Sequence, residues 1–256
     1  MSPSLPRALQ SAVVIPARTA STRLPQKLLL RETGRSVLEH TYAAAAAATR
    51  PLGVWVAAGD ETIVREVHRF GGRVEQTDPE LPSGTDRVAA LARRKEFQHF
   101  DILVNVQGDE PEIDPAVIDR LIDCLENHPE AEMATLAAPI TDEATFLDPA
   151  CVKVVGDAAG RALYFSRAPI PHRRESADAS FENRPLMHLG IYAYRREALL
   201  RFSALPPSPL EQCERLEQLR ALEAGFTIAL EVVAEATCGI DTAEDYARFV
   251  ARQKSA

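Results

Sequence analysis

The sequence predicts an α/β fold: a mostly parallel central sheet with helices on both faces, and a mixed-strand extension in the second half. Three observations carry that prediction. Short apolar runs alternate with helical patterns from residue 12 to about 126. The runs are continuously apolar, as in strands covered on both faces. From residue 133 the pattern becomes strand after strand with one short helix between them.

The elements follow in order. Residues 12–16 form the first strand, and Ser36-Val37-Leu38-Glu39 is a capping box that opens a helix through the alanine run 43–48. Val54–Ala58 reads as a strand, Glu61–Phe70 as a helix and Arg73–Gln76 as a short strand. Thr85–Phe97 is helical, with Val88, Leu91 and Ala92 on one face; Asp101–Val106 is a strand and Pro115–Glu126 a helix. Met133–Pro139, Val152–Val155, Ala162–Ser166 and His188–Tyr194 are strands, and 172–185 is a charged, turn-rich loop. Ser208-Pro209 starts a helix to about Ala224, with Leu210, Cys213, Leu216 and Leu219 as its packing face. Thr242–Arg252 closes the chain as a helix, opened by a Thr242/Asp245 capping box. No linker or internal repeat appears, so residues 11–256 read as a single domain.

Composition narrows the function classes. The chain has 256 residues, 46% hydrophobic and 26% charged, an ordinary globular balance. A net charge of -8 argues against broad binding to nucleic acid or a membrane surface. The cysteines at 124, 151, 213 and 238 form no C-x-x-C pair, which argues against a zinc site or disulfide framework and predicts reduced thiols in the cytoplasm. The apolar stretch 12–17 contains Pro16 and ends at Arg18, so it is neither signal peptide nor membrane span.

In this acidic chain one loop is basic. Arg18, Arg23 and Lys27 follow the first buried strand, where open α/β sheets bind ligands, and three cations there suit a triphosphate. Asp109, in Asn105-Val106-Gln107-Gly108-Asp109-Glu110-Pro111, ends another buried strand; it is either a turn aspartate beside Gly108 or a Mg²⁺ ligand. Asp241 precedes the last helix, as a cap or as a second metal carboxylate. Ser83-Gly84-Thr85-Asp86-Arg87 is a helix cap or a nucleobase or ribose contact. In the second half, Arg167 is a bidentate partner for a carboxylate, His188 a structural histidine or a sugar-hydroxyl contact, and Glu217 and Gln218 flank the packing face of their helix.

Together these segments resemble the 3-deoxy-D-manno-octulosonate (Kdo) cytidylyltransferases, the CMP-Kdo synthetases. The matching pieces include IPAR-x-x-STRLP-x-K at 15–27, SGTDR at 83–87, VNVQGDEP at 104–111, ALYFSRAPIP at 162–171, HLGIYAYR at 188–195, LEQLR at 216–220 and GIDTAED at 239–245. They run in order along nearly the whole chain, and MATLA at 133–137, VKVV at 152–155 and PSPLE at 207–211 fall in register between them. The resemblance implies a Rossmann-like nucleotidyltransferase fold, with a sugar-side and dimerisation region at about 160–225. It implies reaction of CTP with the 2-keto-3-deoxy sugar acid Kdo, dependent on Mg²⁺, in a homodimer. By match, Arg18, Arg23 and Lys27 hold the CTP phosphates and, with Asp109 and Asp241 as Mg²⁺ ligands, make up the catalytic set. Ser21, Ser83, Thr85 and Arg87 join the nucleotide side. Gln107, Arg167, His188, Tyr194, Glu217 and Gln218 line the sugar-acid side.

Two departures bear on the site. The family pattern is LPGKPL, whereas Gln26 here stands in place of the glycine and Leu28 in place of the second proline. This predicts a weaker hold on the triphosphate or a loop that sits differently. Pro171-His172-Arg173-Arg174 lacks the aromatic that often follows the proline, which leaves related acids (amino-Kdo or sialic acid) as rival substrates. A non-catalytic nucleotide-binding paralogue is the rival from another class. Arg23, Lys27, Asp109 and Asp241 together argue against it, since a mere binder needs no paired metal carboxylates.

Overall fold

The first strand divides the core. In a computed structural model that describes residues 9–20, 24–172, 185–234 and 239–255, β1 (Ser11–Ala17) is buried along its whole length. Successive side chains of a strand point to opposite faces. Val13, Ile15 and Ala17 therefore join one core cluster, and Ala12 and Val14 a second one across the sheet.

The first half alternates: α1 (Val37–Ala46), β2 (Val54–Ala58), α2 (Glu61–Arg69), β3 (Val74–Gln76), α3 (Gly84–Ala92), β4 (Ile102–Asn105) and α4 (Pro115–Asn127). The second half comprises β5 (Met133–Pro139), α5 (Glu143–Leu147), β6 (Lys153–Gly156), β7 (Ala162–Ser166), β8 (Leu186–Arg195), α6 (Arg196–Phe202), α7 (Pro209–Glu214), α8 (Gln218–Glu223), β9 (Ile228–Val232) and α9 (Ala243–Ser255). The sheet runs β3-β2-β1-β4-β8-β5-β9, with β6 and β7 attached along β8. β1 to β4 pair in parallel, as does β5 with β9; β8 is antiparallel to β4, β5 and β6. One core cluster takes residues from α1, α2, α4 and α9, the other from α3, α6 and α8. Helices thus cover both faces, as expected, and the mixed extension enters through β6, β7 and β8. Among the described residues no helix is long and apolar enough to cross a membrane.

Several local expectations change. The Ser36 side chain caps the Glu39 N–H, but Glu39 pairs with Arg35 and Arg69 instead of completing a capping box, and α1 ends at Ala46. The Thr242/Asp245 box is reciprocal, with each side chain accepting the other's backbone N–H. The helix expected over Thr85–Phe97 divides into α3 and a 3-10 turn at Lys95–Phe97. The helix expected to run from Pro209 to about Ala224 breaks at Arg215, which takes a left-handed conformation at φ 56°, ψ 47°. The break reorients the chain. Leu216 and Leu219 are buried, whereas Leu210 is 37% exposed and Cys213 also faces solvent, so the four residues do not form one packing face. A bidentate pair from Arg220 to Glu211, at 2.7 and 2.5 Å, fixes α8 against α7. α6 and β9 were not read from the sequence, although Ile228-Ala229-Leu230 is an apolar run after Gly225. Most of the charged loop, 173–184, lies outside the described residues.

Candidate active site

Strand order places the site. β1 has β2 on one side and β4 on the other, so the chain reverses its direction of growth between β1 and β4. Ligand crevices of open sheets form at the carboxyl ends beside such a switch point. A cavity of about 590 Å³ opens there, lined among others by Arg18, Lys27, Ser83, Gln107 and Asp109. Gly108 permits this close approach, since a Cβ on it would lie 3.3 Å from the Pro16 carbonyl oxygen and from Leu28.

Lys27 joins the two acidic segments. Its Nζ donates to Asp109 Oδ2, to Ile240 O at 2.8 Å and to Asp241 Oδ1 at 3.1 Å. The Ile240 N–H donates to Asp109 O at 2.8 Å, so the loops after β4 and before α9 are also joined through backbone. Burial works against the Lys27 ammonium, but the Asp109 and Asp241 carboxylates outweigh it and raise its pKa. Asp241 is thus placed beside Asp109 by the fold rather than serving as a simple helix cap. Two carboxylates and a carbonyl already surround one cation here. An all-oxygen set of this kind suits Mg²⁺, which completes its shell with phosphate oxygens and water.

Gln26, just before the 3-10 turn of Lys27, has φ 52° and ψ 28°. The backbone here is therefore of the kind a glycine accepts without strain, and a side chain in that region costs about 1 kcal/mol. Gln26→Gly should raise the melting temperature by about 2–4 °C. A lower melting temperature in that variant would show that the glutamine side chain stabilises the loop.

The other nucleotide-side candidates separate. Arg18 lines the cavity, and among the described residues its guanidinium has no hydrogen-bond partner. Ser21 and Arg23 lie outside the described residues. Ser83 caps α3 through the Asp86 N–H at 3.2 Å. Arg87, expected at the nucleobase or ribose, is instead 2% exposed. It donates to Thr77 Oγ1 and to the carbonyls of Asp78, Pro79 and Leu81 at 2.7–3.3 Å. Those four bonds shape the cavity wall and leave the guanidinium little capacity for a ligand. Thr85 faces the other side of the crevice, where its hydroxyl donates to Glu217 Oε2 at 2.8 Å.

That other side is a second cavity of about 320 Å³, lined by Gln107, His188, Tyr194, Glu217 and Gln218 among others. A break in pairing creates it. β8 pairs β4 through Tyr192–Arg195 and β6 through Leu186 and Met187, leaving the residues between without a partner strand on that edge. On the opposite edge the register with β5 slips between Thr135 and Leu136, so β8 bulges at Gly190 and Ile191. Thr135 fills the bulge: its Oγ1 lies 2.8 Å from Ile191 O and 2.9 Å from His188 Nε2. The hydroxyl has one proton. Donating it to Ile191 O requires His188 Nε2–H to donate in turn, which leaves Nδ1 as an acceptor.

Burial pushes His188 down to about 3 from its ordinary 6.5. The ring is therefore neutral at physiological pH. Between 6.5 and about 3 the unfolded chain takes up a proton here that the folded chain does not, so stability falls as pH falls through that window. The drop in melting temperature from pH 7 to pH 5 should shrink in His188→Gln; an unchanged drop would assign the acid sensitivity elsewhere.

Tyr194 is buried and hydrogen-bonds Thr85, extending a chain of hydroxyls to Glu217. Gln218 is also buried. Arg167 departs from expectation. Its Nε donates to Glu214 O at 2.8 Å and its Nη1 to Pro149 O at 2.9 Å, and it is absent from the lining of this cavity. Sequence reasoning passed over Asn105, Tyr192 and Arg215, all in the lining. Asn105 and Tyr192 face each other across β4 and β8, and their buried Oδ1 and hydroxyl have no hydrogen-bond partner among the described residues. The signal for Asn105 was a polar residue closing the apolar strand Ile102-Leu103-Val104.

Comparison with known proteins agrees with this geometry. A family model described as cytidylyltransferase matches residues 12–230. A 3-deoxy-manno-octulosonate cytidylyltransferase of Rhodopirellula baltica is 49% identical over 96% of this chain and 100% of its own length. The protein of that name from Solibacter usitatus is 45% identical over 92% of this chain and 91% of its own. A solved structure of CMP:2-keto-3-deoxy-manno-octonic acid synthetase complexed with CTP superposes with a TM-score of 0.89 at 39% identity, covering 96% of this chain and 99% of that one. A 4-diphosphocytidyl-2C-methyl-D-erythritol synthase from Anaerococcus prevotii, 13% identical with a TM-score of 0.62, shares the fold. The chain belongs to the cytidylyltransferase family, among its 3-deoxy-manno-octulosonate cytidylyltransferases.

Proposed function

We propose that the protein transfers the cytidylyl group of CTP to the anomeric 2-hydroxyl of Kdo, giving CMP-Kdo and pyrophosphate for lipopolysaccharide biosynthesis. The observation that carries this reading is the pair of adjoining cavities, one lined by Arg18, Lys27 and Asp109 and the other by His188 and Glu217, with Gln107 in both linings. A triphosphate in the first puts its α-phosphorus beside a sugar hydroxyl in the second. The 2-hydroxyl oxygen bonds to that phosphorus in line, the bond to the β-phosphate breaks, and the hydroxyl proton passes to solvent. Arg18, Arg23 and Lys27 hold the phosphates and stabilise the departing pyrophosphate. By the family match, Ser21 and Ser83 would contact the nucleotide. Asp109 and Asp241 would hold Mg²⁺, which when bound supplies charge neutralisation and Lewis-acid polarisation. Lys27 keeps those carboxylates together and presents its own charge to the β- and γ-phosphates. Gln107, His188, Glu217 and Gln218 orient the sugar acid, and Tyr194 and Thr85 hold Glu217 in place.

Pyrophosphate release from CTP and Mg²⁺ tests the proposal. Release should depend on Kdo. Release with amino-Kdo or sialic acid in its place would move the substrate assignment. CTP binding without release for any acid would support the non-catalytic reading.

We further propose a cytoplasmic homodimer joined through residues 160–225, on the family resemblance. The cytoplasm supplies CTP and keeps thiols reduced; the buried Cys124, pushed up to about 12 by desolvation, is suited to remain an inert thiol there. Sedimentation should give twice the 28.0 kDa chain mass, and a single-chain mass at micromolar concentration would exclude the dimer.

A further inference from the structure

We infer that Arg215 binds the carboxylate of the sugar acid and is a specificity-determining residue of the second cavity. The inference rests on the substrate class proposed above. An acid seated beside Glu217 needs a counter-charge, and among the described residues lining this cavity Arg215 is the one cation. Arg167, expected in that role, has two guanidinium nitrogens committed to the Glu214 and Pro149 carbonyls and lies outside the lining. The guanidinium of Arg215, by contrast, has no hydrogen-bond or ion-pair partner among the described residues.

Backbone geometry is an independent observation. Arg215 sits at φ 56°, ψ 47°, a conformation in which glycine or asparagine is the ordinary occupant. A long cationic side chain held there against backbone preference is an outlier of the kind that gathers at binding sites. The turn is fixed from both sides. The Arg215 N–H and the Leu216 N–H both bond Glu211 O, Leu216 is buried, and the Arg220–Glu211 pair locks α8 to α7. A charge offered from so rigid a base loses little freedom on binding. The rest of the cavity complements a polyhydroxylated anion. Asn105 Oδ1 and the Tyr192 hydroxyl are buried without partners among the described residues, and His188 is a neutral acceptor suited to a sugar hydroxyl. A guanidinium meets a carboxylate through parallel N–H···O bonds, which fixes the acid end of the sugar while these groups read its hydroxyls.

The test is steady-state kinetics of pyrophosphate release with CTP and Kdo, combined with thermal melts, for the full chain and its Arg215 variants. Arg215→Ala should raise the KM for Kdo roughly tenfold or more, the loss expected for a charge-assisted contact, and leave the KM for CTP within about twofold. Arg215→Lys should fall between wild type and Arg215→Ala, since it keeps the charge without the planar fork. Arg215→Gly should show the same rise in KM for Kdo and melt no lower than wild type, because glycine accepts the left-handed turn. An unchanged KM for Kdo in Arg215→Ala, a rise in the KM for CTP in its place, or a glycine variant that melts below wild type would each overturn the assignment. Wild-type protein silent toward Kdo would instead overturn the substrate reading, and this inference with it.

Discussion

Asp109→Asn and Asp241→Asn should each lower kcat by roughly two orders of magnitude or more while leaving the fold intact. Both carboxylates surround the Lys27 ammonium, and the backbone bond from Ile240 to Asp109 brings their loops together independently of either side chain. An amide replaces the carboxylate at nearly the same size, so the backbone contact persists and the negative charge is lost. On the proposed reading that charge holds a divalent cation against a triphosphate, whose reaction runs on positioning and electrostatics. The loss should therefore appear in kcat and in the Mg²⁺ concentration needed for half-maximal rate, with little change in melting temperature. Wild-type turnover in either variant would remove that residue from the metal site.

Lys153→Met should cost about 3 kcal/mol of stability. Lys153 is fully buried, and its ammonium donates to the carbonyls of Asp148, Cys151 and Arg167 at 2.5–2.8 Å. Burial lowers its pKa, and among the described residues no carboxylate contacts it directly. The ammonium ties together two backbone segments: the loop before β6, through Asp148 and Cys151, and the residue after β7, Arg167. Methionine fills nearly the same volume but takes this donor from all three carbonyls; Asp148 O keeps the Cys151 N–H, and a buried acceptor left unpaired costs about 1–3 kcal/mol. Relief from burying a charge offsets part of that. A melting temperature about 6–12 °C lower is the expected result for a chain of this size. A change under about 0.5 kcal/mol would show that water or shifted backbone satisfies those carbonyls as well as the lysine does.

What could be read in the sequence was what local pattern controls. β2, β5 and β7 fall within the residues assigned to them, because continuous apolar runs bounded by turns are local signals. The basic loop after β1 and the Asp109 segment were legible for the same reason: each follows a buried strand whose end faces the crevice. The misses depend on how the backbone folds rather than on residue pattern. Arg87 and Arg167 look like free cations in their motifs, and only folding brings the carbonyls of 78–81 and of 149 and 214 to their guanidinium groups. The break at Arg215 carries neither glycine nor proline to mark it, so a single helix was the natural reading of 209–224. Asn105 and Tyr192 meet through antiparallel register between β4 and β8, separated by 87 positions in the chain (192 − 105). The position of Gln26 was legible through the family pattern, and its left-handed backbone is the conformation a glycine there would serve.

The most direct test of the central claim is to follow CTP, Kdo, Mg²⁺ and the purified protein by phosphorus NMR. The account predicts that the three CTP signals give way to one phosphodiester signal, from CMP-Kdo, and to pyrophosphate in equal amount, with no change when Kdo is omitted. Inorganic phosphate with CDP, or CTP left intact in the presence of Kdo, would contradict it.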